Sequence, residues 1–166
     1  LCYQIPSLCR EGVGVIVSPL IALMQDQITA LAQLGISAGA INSSMSDREV
    51  FIVKDKLERN DLDLLYVAPE RLVMPDFVEL LKTVKIALFA IDEAHCVSQW
   101  GHDFRPDYTA LSFLAERFQG IPRIALTATA DRATRKDIIE RLKLEGGKTF
   151  IGGFDRPKIH YSILER

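Results

Sequence analysis

The chain has 166 residues, 48% hydrophobic and 25% charged, a balance that excludes disordered and collagen-like classes and gives one domain with a self-supporting core. Twenty Lys and Arg against 22 Asp and Glu leave a formal charge of −2, which excludes a domain that coats nucleic acid by bulk charge but leaves room for a local groove. The longest unbroken apolar run, residues 86–91, is far short of the roughly 20 residues a membrane-spanning helix needs.

The elements follow in chain order. Cys2 and Cys9, seven apart, are expected on the core face of a first helix. Residues 14–17 read as a short buried strand ended by Ser18-Pro19. Ile21, Met24, Ile28 and Leu31 recur at three- and four-residue spacing, which predicts an amphipathic helix that Gly35 terminates. Residues 36–41 form a second strand, and 46–57 a helix capped by Ser46 with Glu49 three residues on. A third strand at 62–67 precedes two short helices, 69–74 and 75–82, each opened by a proline. Residues 86–91 are apolar on both faces and read as a central strand. A helix at 107–118, a fifth strand at 123–126 and a charged helix at 131–143 follow, the last with Ile138, Ile139 and Leu142 inward. Its charges alternate in sign, giving a solvated face with Asp131–Arg135 and Asp137–Arg141 pairs. Residues 150–151 and 159–163 read as further strands, and 152–157 as a linker. Strands alternating with helices at this pitch mean an α/β fold: a parallel sheet flanked by helices on both faces.

Three cysteines without a C-x-x-C pair suggest neither a disulfide scaffold nor a zinc site, and the simplest setting is a reducing compartment. His102 and His160 have no second ligand at metal spacing. The chain opens on Leu1 without a charged leader, so it is expected to begin inside a longer polypeptide.

Ligands of open α/β sheets bind outside the carboxyl ends of the strands, which draws attention to Asp92-Glu93 at the end of the apolar strand. Adjacent carboxylates there suit nucleotide hydrolysis, one holding Mg²⁺ and the other orienting water. The plain alternative is a helix cap. Residues 99–108 read Gln-Trp-Gly-His-Asp-Phe-Arg-Pro-Asp-Tyr, an aromatic loop suited to stacking on unpaired bases. Alternatively Trp100, Phe104 and Tyr108, four apart, plug a hydrophobic gap. Thr127 and Thr129 end the fifth strand, where they either cap the next helix or sense events at Asp92-Glu93. Ser18-Pro19 and Ala68-Pro69-Glu70-Arg71 fall at strand ends on the same side and suit phosphate contacts. Asn42-Ser43-Ser44 matches a glycosylation acceptor by chance.

Taken together, residues 92–108 with 17–27, 66–72 and 125–130 resemble the RecQ family of ATP-dependent DNA helicases. The match runs from Leu1-Cys2-Tyr3-Gln4-Ile5-Pro6 to Phe154-Asp155-Arg156-Pro157, and its most specific part is the string through Cys96, Ser98, Gln99, Trp100, Gly101, His102, Phe104, Arg105 and Pro106. The resemblance implies a RecA-like fold, with ATP and Mg²⁺ as cofactors. Asp92 would coordinate the metal and Glu93 activate water, while His95, Gln99, Thr127 and Thr129 couple nucleotide state to DNA. Trp100, His102, Phe104 and Arg105 would contact single-stranded DNA, and Ser18, Pro19, Asn42 and Arg71 track its backbone. It further implies three-prime to five-prime unwinding in recombination and repair, with single-stranded and branched or partly duplex DNA as partners. It also implies no membrane partner and a bacterial cytoplasm or nucleoid as the setting.

The departures carry equal weight. No G-x-x-x-x-G-K-[ST] phosphate loop occurs in the chain. Gly147-Lys148-Thr149 is a decoy, because position 142 is Leu. In the family that loop ends just before the match to Leu1, so residues 1–151 are expected to form a partial N-terminal motor domain without the phosphate-loop strand. Residues 152–166 would begin the connection to a second motor domain, and zinc would belong to a module outside this chain. The absent strand lies inside the family's sheet, so an exposed edge and marginal stability are expected. Three other readings are a non-catalytic nucleic-acid-binding fragment, an RNA helicase, and a translocating ATPase that does not separate strands.

Overall fold

Five runs rich in Val, Ile, Leu and Ala pair side by side in a computed structural model that describes residues 1–100 and 103–152. They are β1 (Val13–Val17), β2 (Ala38–Ile41), β3 (Leu64–Val67), β4 (Ile86–Ile91) and β5 (Arg123–Ala125). All neighbours are parallel, in the order β2-β3-β1-β4-β5. Parallel pairing demands a crossover after each strand, and the helices provide it. They are α1 (Gln4–Leu8), α2 (Ile21–Gln33), α3 (Asp47–Glu58), α4 (Pro69–Leu72), α5 (Pro75–Thr83), α6 (Pro106–Ala110), α7 (Leu114–Arg117) and α8 (Arg132–Arg141).

Every residue of β1, β3 and β4 is buried, because alternate side chains enter two separate cores. Val15, Val17, Leu65, Val67, Phe89 and Ile91 face one layer, built on Leu57, Phe77, Leu81, Tyr108, Leu114 and Ile138. Ile16, Leu64, Tyr66, Leu88 and Ala90 face the other, with Tyr3, Met24 and Leu31. That arrangement explains the apolar runs without alternation. Helix α1 lies so close to β1 that a side chain at Gly14 would overlap Ser7.

Local signals set the element ends. Ser46 and Glu49 form a reciprocal capping box on α3. Gly35, at φ +74, ends α2, and the next amide, Ile36, donates back to the Leu31 carbonyl. Asp131 caps α8 by accepting from the Thr134 N–H at 2.7 Å, so neither Thr127 nor Thr129 serves as that cap. None of the described helices is long and apolar enough to cross a membrane.

Several expectations need correction. The middle strand is β1; β4 is internal but next to the last. The helix expected over 107–118 is broken by a 3-10 turn at Leu111–Phe113. Tyr108, Leu111 and Leu114 are all buried at three-residue spacing, and a 3-10 turn keeps such residues on one face. Residues 150–151 are no strand: Phe150 and Ile151 are exposed, and strand propensity without a neighbouring strand among the described residues is not enough. Cys2 and Cys9 are exposed, because α1 buries Gln4 and Ser7 and leaves the cysteines beyond its ends. Asp137 pairs with Arg141 at 3.3 Å, but Arg135 donates to the Ala130 carbonyl while Asp131 caps the helix. On the same helix Ile138 and Leu142 are buried and Ile139 only partly so. The strand expected at 159–163 and His102 lie outside the described residues.

Candidate functional site

The ladder continues past the strand ends and holds the following residues in register. Asp92 N–H donates to the Val17 carbonyl at 2.9 Å, Leu126 N–H to Ile91 at 2.9 Å, and Ala94 N–H to Leu126 at 2.8 Å. Ser18 N–H donates to Val67 at 3.2 Å. The sheet order therefore sets the candidate residues along one edge: Asn42, then Arg71, Ser18-Pro19, Asp92-Glu93 and Thr127. Hydrolytic candidates occupy the β4–β5 side, and the candidates for tracking a nucleic-acid backbone occupy the β2–β3–β1 side.

Asp92 is half-buried, and that burial holds its carboxyl above the usual aspartate range, opposed by the N–H of Glu93. Its Oδ1 accepts that N–H at 3.0 Å, and its carbonyl accepts the Tyr108 hydroxyl at 2.9 Å. A desolvated carboxylate with a second oxygen to offer fits a hard cation such as Mg²⁺.

Glu93 turns the chain. Its φ of 48° and ψ of 42° are left-handed, a conformation that costs a non-glycine residue of order 1–2 kcal/mol. Among the described residues, the other left-handed non-glycine residues, Asn60 and Lys143, sit just after helices, and Glu93 alone stands at a strand exit. Such strain makes Glu93 a candidate for function. The turn brings Glu93 Oε2 within 3.3 Å of His95 Nδ1, which is 2.9 Å from Thr127 Oγ1. Thr127 Oγ1 also donates to the Thr129 carbonyl at 3.2 Å and accepts the Thr129 N–H at 3.2 Å. The Thr127 hydroxyl thus sits between His95 Nδ1 and the Thr129 backbone. Glu93, His95, Thr127 and Thr129, spread over 37 positions of sequence, thus form one connected group.

The aromatic segment divides. Residues Ala94–Val97 form a buried 3-10 helix, and Ser98 beyond it is fully buried. Gln99 is exposed, and Trp100 is 79% exposed. Phe104 is partly open and Tyr108 fully buried. Trp100 and Phe104 are therefore available to a ligand, whereas Tyr108 belongs to the core. Arg105 N–H donates to the Cys96 carbonyl at 2.8 Å and closes the base of the loop. The Arg105 guanidinium is held by Asp103 Oδ2, at 3.1 Å from Nη2. Burial, with Asp103 beside it, pushes the Cys96 thiol up to about 11. His95, Cys96 and Asp103 bring possible metal ligands within 4.8 Å of one another, a mixed nitrogen, sulfur and oxygen set unlike the all-oxygen shell of magnesium.

The remaining candidates are placed as follows. Ser18 is buried, with a hydroxyl that has no partner among the described residues, and Pro19 is half-buried. Asn42 is also buried, and its Oδ1 accepts from Ser44 N–H at 3.0 Å, a closed Asx turn that suits no glycan. Arg71 is half-exposed, its guanidinium 3.7 Å from Met74 Sδ. Sequence reading missed the Tyr108 bond to Asp92, and a buried link in which Gln4 Nε2 donates to Gln27 Oε1 at 2.9 Å and to the Tyr66 hydroxyl at 3.3 Å. No spacing rule signals either.

The five-stranded parallel sheet with its flanking helices is a RecA-like fold. Sequence comparison narrows the class: over residues 1–138 the chain matches the DEAD/DEAH box helicase family, and it belongs to that family. Over its whole length it is 51% identical to the ATP-dependent DNA helicase RecQ of Pasteurella multocida, covering 26% of that protein. It is 42% identical to the RecQ of Bacillus subtilis, with 99% of this chain and 28% of the relative covered. Against ATP-dependent DNA helicase Q1 of Rattus norvegicus the identity is 42%, covering all of this chain and 28% of the relative. The chain thus spans about a quarter of the length of these relatives. The crystal structure of the Pyrococcus furiosus Hef helicase domain matches in fold, with a TM-score of 0.57 at 17% identity over 86% of this chain and 29% of that one.

Proposed function

We propose that this chain is the hydrolytic part of the first motor domain of an ATP-dependent DNA helicase of the RecQ type. The observation that carries the reading is the acid pair at the exit of β4, with its strained Glu93 tied through His95 to Thr127. Asp92 would hold Mg²⁺, which when bound would neutralise phosphate charge. Glu93 orients water in line with the γ-phosphorus of ATP and draws its proton as the bond to the leaving ADP oxygen breaks. His95 and Thr127 feel the change at Glu93. Trp100 and Phe104 stack on unpaired bases and report strand occupancy, and Arg71, with the Ser18-Pro19 segment, meets the phosphates. In the whole protein this drives three-prime to five-prime translocation on single-stranded and branched or partly duplex DNA, in recombination and repair in a bacterial cytoplasm or nucleoid.

The test is Glu93→Gln in the full-length protein. Turnover is expected to fall on the order of 10²- to 10⁴-fold, with nucleotide binding retained. Wild-type hydrolysis would remove Glu93 from its role. One observation favours a second reading, a nucleic-acid-binding segment that does not itself take up nucleotide: the 166 residues contain no phosphate-cradling loop. Loss of turnover in full-length Glu93→Gln supports the first reading and unchanged turnover the second; calorimetry of ATP against this chain alone is expected to show no heat of binding.

A further inference from the structure

Helix α8 carries a charged face that the hydrolytic site does not use, yet one of its acids points inward. Asp137 Oδ2 accepts the Ser98 hydroxyl at 2.8 Å and stands 3.3 Å from Arg141 Nε. Ser98 is fully buried, and its oxygen accepts the Trp100 N–H at 3.2 Å. A serine hydroxyl has a single proton. Here the anionic carboxylate claims it, so the oxygen lone pairs are turned toward the Trp100 amide, and the bond to Asp137 is of the strong, charge-assisted kind. Arg141 in turn fixes the carboxylate. The 3-10 helix Ala94–Val97 is thus clamped at two places by one stretch of chain, at His95 by Thr127 and just beyond its end by Asp137.

We infer that Asp137 is a positioning residue for the Trp100 loop: through Ser98 it sets where the exposed ring stands and ties that position to the segment carrying Thr127. This rests on the reading of residues 99–106 as the sensor of unpaired DNA. It assigns a task to a helix face that contacts neither nucleotide nor DNA in that reading.

Trp100 is the only tryptophan in the chain, so its fluorescence anisotropy reports on the loop without a label. Asp137→Ala and Ser98→Ala are each expected to lower that anisotropy, and the double variant to lower it no further than either alone. Asp137→Asn, which keeps an acceptor oxygen for Ser98, restores most of it and serves as the test where circular dichroism shows the alanine variant unfolded. In the full-length protein Asp137→Ala is expected to raise the single-stranded DNA concentration for half-maximal ATPase stimulation about tenfold, as for one lost charge-assisted bond, with the DNA-free rate unchanged. Unchanged anisotropy in folded variants, or additive losses in the double variant, overturns the inference. If Trp100→Ala leaves DNA stimulation intact while Asp137→Ala loosens the ring, the positioning stands and the sensor reading is what fails.

Discussion

Trp100 and Tyr108 lie eight residues apart in one aromatic segment and meet opposite fates, so their substitutions separate binding from folding. Trp100 is 79% exposed, and Trp100→Ala is expected to shift stability by no more than about 0.5 kcal/mol. In the full-length protein it should weaken DNA stimulation of the ATPase more than the basal rate; an equal fall in both would make the loop structural. Tyr108 is fully buried, with burial holding its hydroxyl protonated well above the usual tyrosine range. Tyr108→Phe removes the donor to the Asp92 carbonyl and is expected to cost about 1–2 kcal/mol. Thermal denaturation followed by circular dichroism measures both. The sequence offered each ring the same two roles; burial divided them.

At the scale of the element, α8 depends on its first residue. The mean composition of Arg132–Arg141 is strongly polar, so propensity and capping carry more of this helix than burial does. Asp131→Ala is expected to destabilise the fold by about 1 kcal/mol, a melt lower by roughly 2–4 °C for a chain of this size. The effect depends on pH in a fixed direction. The Thr134 N–H holds the Asp131 carboxyl below its ordinary value of 3.8. The folded state therefore binds the proton less readily than the unfolded chain. The cap's contribution is fully present above that ordinary value and disappears as pH falls through the depressed one. The gap between wild type and Asp131→Ala is expected to close in acid. Asp131→Asn, a cap that does not titrate, should keep its stability relative to alanine at every pH. A gap that widens in acid would exclude the capping role.

At the scale of the whole molecule, the sheet is unevenly protected. Strands β1, β3 and β4 are buried throughout, but β5 has three residues, all only partly covered, and nothing described beyond it. Among the described residues this parallel edge is unpaired, short of the burial such strands need, and it offers N–H and C=O groups for pairing. The 166-residue chain is expected to melt below about 45 °C, under the usual range for such domains, and to self-associate with rising concentration. Ile124→Lys on that edge should reduce the association seen by sedimentation. A cooperative melt above about 65 °C would show that the edge costs little.

The sequence alone determined the alternation of strands and helices, the acid pair at a strand exit and the capped helices, because these depend on spacing over fewer than a dozen residues. The family was legible for the same reason, since its string from Asp92 to Tyr108 is contiguous. Tertiary structure alone decided that Tyr108 is core and Trp100 is not, that Thr127 meets His95 rather than the next helix, and that Asp137 reaches Ser98 across 39 residues. Those outcomes follow from which strands lie side by side and which helix packs over them. Side-chain periodicity says which face of an element turns inward, but not which neighbour it meets there.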